Sequence, residues 1–180
     1  MATETVETLI IGGGQAGLAM SAHLRDKGRS HLVLERDRIA ERWRTQRWDS
    51  LVANGPAWHD RFPILGFDDT PPEVFAHKDR IVAYFEEVAE KINAPVRCGV
   101  EVTSLRRKAD GSGFVAETSA GVIEAANVVA ATGPFQRPLI PTLVPDEAGI
   151  MQIHSSGYRN PGQLPEGAVL VVGAGSSGVQ

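Results

Sequence analysis

Gly12-Gly13-Gly14-Gln15-Ala16-Gly17 forms a G-x-G-x-x-G run whose residue types suit the handling of a diphosphate. Gly12 permits a tight turn, Gly14 lets the backbone approach a pyrophosphate, and Gly17 lets a following helix pack closely on the preceding strand. The N–H groups of Gln15, Ala16 and Gly17 at that helix start, with the positive end of its dipole, complete the cradle. Glu35, 18 residues beyond Gly17, stands where a carboxylate accepts from ribose hydroxyls and disfavours a 2′-phosphate. Glycines alone make only a turn. Strand, glycine loop, helix and acid together point to a bound dinucleotide, either FAD or NAD.

A second run, Gly173-Ala174-Gly175-Ser176-Ser177-Gly178, follows Val169-Leu170-Val171-Val172. Ser176 and Ser177 add hydroxyl donors to a phosphate cradle of the same kind. Only Val179 and Gln180 come after it, so the helix that should receive the phosphates is barely begun. The expectation is that the chain is the opening portion of a longer protein, with the residues that choose between NADPH and NADH beyond Gln180.

Other chemistries find little support. The single cysteine, Cys98, excludes an internal disulfide and a C-x-x-C redox pair, and it falls on the expected buried face of a strand. His23, His31, His59, His77 and His154 do not repeat at ligand spacing, so no metal site is expected. A net charge of −4 without long runs of like charge argues against a general grip on nucleic acid or anionic lipid. The N-terminus has neither a basic n-region nor an apolar run long enough for a signal peptide or a membrane span, which makes the cytoplasm the default location. At 180 residues and 42% hydrophobic, the chain can build one full domain and part of a second.

The elements that must position these residues follow from periodicity. Val6–Ile11 reads as a strand, Gln15–Lys27 as a helix stopped by Gly28, and His31–Leu34 as a strand ending at Glu35, which together make a strand–helix–strand unit. Residues 36–76 resist assignment, and a long irregular stretch in a compact domain is more often functional than idle. Lys78–Asn93 has Ile81, Phe85, Val88, Ala89 and Ile92 on one helical face. Val96, Cys98, Val100 and Val102 alternate with polar residues, predicting one half-buried strand. Turns at 110–113 and 120–121 separate strands Phe114–Ser119 and Val122–Glu124, giving a β-meander. The continuous apolar run Asn127–Thr132 predicts a strand covered on both faces, closed by Gly133-Pro134. Five prolines between 138 and 165 mark a connecting region, and Ala168–Val172 is the next expected strand. The fold class is therefore α/β: a Rossmann-like dinucleotide-binding domain with a parallel sheet and crossover β-meander over residues 1–133, then a linker and the start of a second Rossmann-like unit over 134–180.

This order of parts, with Ala131-Thr132-Gly133 between the two fingerprints, resembles the two-dinucleotide flavoproteins, and that resemblance implies FAD at the first site and NADPH or NADH at the second. Within that group, Glu35-Arg36 and Glu41-Arg42-Trp43-Arg44 are similar to segments of the flavin-containing monooxygenases, with Arg42 where a glycine is common. Asn54-Gly55-Pro56 resembles the loop whose asparagine faces the reactive flavin edge. His154-Ser155-Ser156-Gly157-Tyr158 resembles the second half of the family's identifying sequence, while Ala148 and Ile150 replace its phenylalanine and glycine. The resemblance implies a monooxygenase in which NAD(P)H reduces FAD, O2 adds to the reduced flavin as a C4a-hydroperoxide, and a small nucleophilic substrate is oxygenated. It implies Asn54 as the catalytic residue, and a cofactor contact set that adds Arg36, Arg42, Trp43, Val102, Ala131, Thr132 and Gly133 to the two glycine loops and Glu35. Homodimerisation is compatible with this pattern. Two alternatives stay open: a flavoprotein reductase of the thioredoxin- or ferredoxin-reductase kind, and a non-catalytic flavin-binding regulatory module linked to ion transport.

Overall fold

Branched apolar residues at the start of the chain pair side by side because each strand buries its backbone polar groups only by finding neighbours. The computed structural model describes residues 3–145 and 148–180. Its elements are β1 (Thr3–Ile11), α1 (Gln15–Asp26), β2 (His31–Glu35), α2 (Glu41–Thr45), α3 (Lys78–Lys91), β3 (Val96–Cys98), β4 (Val102–Arg107), β5 (Phe114–Thr118), β6 (Gly121–Ala130) and α4 (Ser176–Val179). The six strands form one sheet in the order β3-β2-β1-β6-β5-β4. Strand β1 runs parallel to β2 and β6, and β2 parallel to β3. β5 runs antiparallel to β4 and β6. The expected α/β class holds, and the meander continues the parallel sheet instead of forming a separate layer.

Two apolar clusters cover the sheet and its helices. One joins Leu18 of α1 to Ile81, Tyr84, Phe85 and Val88 of α3 and to Phe62 and Phe67 of the long loop. The other joins Leu9, Leu32, Leu34, Ala116 and Ile123 across four strands. Helix α3 buries the face expected from its spacing, and Val82 and Tyr84 as well, because α1 and the loop around residues 62–67 both pack on it. Among the described residues no helix is long and apolar enough to cross a membrane.

The stretch 36–76 has more order than its sequence suggests. It contains α2, and its two arms form a ladder in which Ala53 N–H donates to Ala76 O at 2.8 Å and Ala57 N–H to Val74 O at 2.9 Å. Tyr84 pins its tip: its hydroxyl accepts from Phe62 N–H at 2.7 Å and donates to Leu65 O, while its ring stacks on Phe67 at 3.9 Å between centroids.

Four expectations are corrected. The single strand from Val96 to Val102 is two strands, broken at Gly99, whose φ of +74° is a conformation that residues with a Cβ avoid. β3 closes the β2 edge and β4 closes the opposite edge. A period of two reports local pleating and says nothing of which neighbour a strand joins. Cys98, at the end of three-residue edge strand β3, is exposed instead of buried. The run Asn127–Thr132 is not covered on both faces, for its first four residues continue β6 with Asn127 and Ala130 exposed. Finally, Ala168–Val172 joins no sheet, and Leu170 is 84% exposed. A strand needs a partner for its N–H and C=O groups, and apolar composition does not provide one.

Tyr84→Phe should leave the buried Phe62 N–H without an acceptor and cost about 1–3 kcal/mol. Urea unfolding of the two proteins measures it, and equal midpoints would refute the pinning role.

Candidate functional site

The parallel register sets Ile11 beside Leu34 on one flank and beside Ala130 on the other. The chain therefore leaves three adjacent strands at the same carboxyl edge, where open α/β sheets bind ligands. Gly12 turns there with φ +115°, donating its N–H to Leu34 O at 2.8 Å. On the other flank Ala131 N–H donates to Ile11 O at 2.8 Å. Any Cβ at Gly12 would overlap the Ala131 carbonyl, so the glycine loop and the end of β6 are in contact.

Gly17 is fixed by a second close approach, since a Cβ there would overlap the Gly12 carbonyl. Gly14 differs from both. It caps α1 without any side-chain bond to the helix, and a Cβ there would meet nothing within 4 Å. The first turn of α1 carries no acidic residue, and Gln15 and Ala16 are exposed. The positive end of the α1 dipole thus faces open space beside a backbone free of side chains, which suits a pyrophosphate.

Glu35 ends β2 with its carboxylate shared between two backbone donors: Gly13 N–H at 2.7 Å and Asp37 N–H at 3.0 Å. Each oxygen keeps a lone pair for a hydroxyl donor. Gly13 lies outside the sequence-derived set, yet it is buried and a Cβ on it would stand 3.0 Å from the Glu35 Cβ. Three consecutive glycines were the signal available for it. Gly99 and Val100 were also overlooked: they donate to Asp37 O at 3.2 Å and Glu35 O at 3.0 Å. Val102, by contrast, lies in β4 and packs against the second apolar cluster.

The remaining candidates fall in several places. Arg36 is exposed and paired with Asp37 at 3.2 Å. Arg42 turns its guanidinium to the segment after β6, donating to Phe135 O and, at 2.9 Å, to Gln136 Oε1. Trp43 is half-buried against the first cluster. Burial lowers the pKa of both Arg42 and Arg47, Arg42's further through neighbouring Arg36 and Arg47's further through Arg42. Thr132 and Gly133 are exposed, and their carbonyls accept from the Gln136 amide. Asn54 is exposed on a loop that Asp60 braces by accepting from Gly55 N–H at 2.7 Å. Its carbonyl accepts from Gln180 Nε2 at 3.1 Å.

The second glycine run repeats the local geometry of the first. Gly173 has φ +115°, a Cβ at Gly178 would overlap the Gly173 carbonyl, and Gly175 caps α4 over open space. Ser176 and Ser177 are exposed. Among the described residues no strand pairs with the run that precedes this loop.

The family model described as pyridine nucleotide-disulphide oxidoreductase matches residues 9–180. An uncharacterized CzcO-like oxidoreductase of Geobacillus kaustophilus is 40% identical over 97% of this chain and 50% of its own length. An indole-3-pyruvate monooxygenase, YUCCA1 of Oryza sativa subsp. japonica, is 33% identical over 96% of this chain and 43% of its own. A flavin monooxygenase from Stenotrophomonas maltophilia superposes with a TM-score of 0.79 at 25% identity, over 89% of this chain and 48% of that one. The chain spans about half the length of the curated relatives it matches first.

Removing the Glu35 carboxylate with Glu35→Ala should cost about 1.5–3 kcal/mol even without nucleotide, because two amides lose a charged acceptor. Chemical denaturation in nucleotide-free buffer checks it. An unchanged midpoint would show that the carboxylate does not brace the loop.

Proposed function

The chain belongs to the pyridine nucleotide-disulphide oxidoreductase family, and from that premise we propose that it carries the FAD-binding part of an NAD(P)H-driven flavin monooxygenase. One observation carries the reading: Gly14 and the uncapped start of α1 lie open at the edge where Glu35 and Ala131 also converge. The similarity to a flavin monooxygenase and to an indole-3-pyruvate monooxygenase supports the choice of chemistry. In this reading residues 1–133 form the first unit, and 134–180 hold the linker and the opening of the second.

When bound, FAD supplies hydride acceptance and O2 activation, and NADPH or NADH supplies the hydride. The residues of the chain bind, orient and exclude water. Backbone N–H groups of Gln15, Ala16 and Gly17 receive the pyrophosphate, with Gly12 and Gly14 leaving room for it. The Glu35 carboxylate accepts from ribose hydroxyls with the lone pairs left after Gly13 and Asp37 are served. The Ala131–Gly133 backbone lines the cofactor, and the Asn54 amide faces the reactive ring. Gly173, Gly175, Ser176, Ser177 and Gly178 receive the nicotinamide nucleotide. The substrate class is a small soft nucleophile, with O2 as co-substrate.

Titration with FAD should yield a yellow complex. Gly14→Ala should weaken it at least tenfold, roughly the loss expected when a side chain fills a phosphate cradle, while thermal stability falls by no more than about 1 kcal/mol. A variant that binds FAD as tightly as the parent would sink the assignment of this loop.

In a protein of the relatives' full length that carries this chain, oxidation of NADPH under 18O2 with an aryl methyl sulfide as probe should give labelled sulfoxide. Asn54→Ala should slow it by about 10–1000-fold with FAD affinity held within about threefold. NADPH oxidation that reduces a dithiol or dye acceptor and leaves the sulfide unlabelled would replace the monooxygenase by a reductase.

A further inference from the structure

The connecting segment after β6 is fastened at two places to one short stretch, residues 42–49. At the near end, Arg42 Nη1 donates to Phe135 O and to Gln46 Oε1, the latter at 3.0 Å, while Nη2 donates to Gln136 Oε1 at 2.9 Å. The Gln136 amide donates onward to Thr132 O. The Arg47 guanidinium lies over two rings, 4.9 Å from the Phe135 centroid and 5.7 Å from that of Trp43. At the far end, Asp49 N–H donates to Arg159 O at 2.8 Å, Asn160 Nδ2 donates to Asp49 Oδ2 at 2.7 Å, and Arg159 donates to Thr45 O. Just beyond the first fastening, residues 137–143 are exposed, Leu139 to 80% and Leu143 to 65%.

We propose that residues 42–49 are a clasp for the connecting segment, with Arg42 and Arg47 as positioning residues that hold Phe135 and Gln136, and through them Ala131–Gly133. Arg42 does not then touch the cofactor, although its charge near a phosphate site invites that role. Its planar fork spans a backbone carbonyl and a side-chain amide together, which a single ammonium cannot do. A glycine at this place, common in the sequences this segment resembles, would leave Phe135 O and Gln136 without their partner. The clasp fixes where the chain departs from the first glycine loop, and so the approach of whatever the second loop carries. In taking Ala131–Gly133 to line FAD, the inference rests on the reading above.

The test compares the full chain with Arg42→Gly, Arg42→Lys and Phe135→Ala. Amide hydrogen exchange at Ala131, whose N–H donates to Ile11 O, measured without nucleotide, should quicken about tenfold in Arg42→Gly and Arg42→Lys, the factor that one or two lost hydrogen bonds command, and about threefold in Phe135→Ala, which removes only the ring beneath Arg47. FAD affinity should stay within about threefold, while flavin reduction at saturating NADPH, read in a protein of the relatives' full length that carries the same substitutions, slows about tenfold through misplacement. Phe135→Ala leaves α2 intact and keeps the test decisive if Arg42→Gly folds poorly. Unchanged exchange at Ala131 in the Arg42 variants overturns the clasp. So does a tenfold or greater loss of FAD affinity in Arg42→Gly that Arg42→Lys restores, because a phosphate contact needs only the charge. Failure of the flavin reading itself would show separately, as a parent protein that binds no FAD while its exchange result stands.

Discussion

The contact between Gly17 and the Gly12 carbonyl is the constraint from which the rest of the site follows. Helix α1 approaches the end of β1 so closely that no side chain fits between them. That approach aims the amino end of α1 across the carboxyl edge of the sheet and brings the Gly12 turn against Ala131. A helix standing farther off would leave the same N–H groups pointing into solvent. The dipole effect decays within a turn of the helix end, so this placement decides whether an anion feels it.

The edge so formed is built largely from backbone. Leu34 O, Ile11 O and the amides of Gly12, Gly13, Asp37 and Ala131 make its internal bonds, and among the described residues Glu35 is the one side chain woven through them. Because Glu35 braces the loop as well as offering lone pairs outward, its chemistry and its structural duty are coupled. A group held by two amides loses little further freedom when a ligand arrives, which favours binding. The connecting segment adds a second layer, since the Gln136 amide links the carbonyls of Thr132 and Gly133 to α2 through Arg42.

The long loop of residues 36–76 shows how an apparently featureless sequence becomes ordered. Its tryptophans, prolines and arginines follow neither a helical nor a strand period, so nothing local fixes its shape. Order comes from distant partners: Tyr84 at the tip, His77 and Ala76 along the ladder, and Arg159 and Asn160 beside Asp49. Each of these is remote in sequence, and no window of neighbouring residues reveals it.

The sequence by itself determined the parts whose causes are local. Both glycine loops, the helix from Gln15, the strand ending at Glu35, the apolar face of α3 and the turns of the meander all depend on neighbouring residues. Tertiary structure decided everything that needs a partner from elsewhere. It split the alternation of Val96–Val102 at Gly99 and sent its halves to opposite edges, exposed Cys98, and left Ala168–Val172 unpaired. It also turned Arg42 toward Phe135 and put Gly99 and Val100, not Val102, against the backbone of Glu35 and Asp37. Strand pairing and side-chain partners are long-range bonds, and periodicity along the chain records only which face a residue shows, never what it meets.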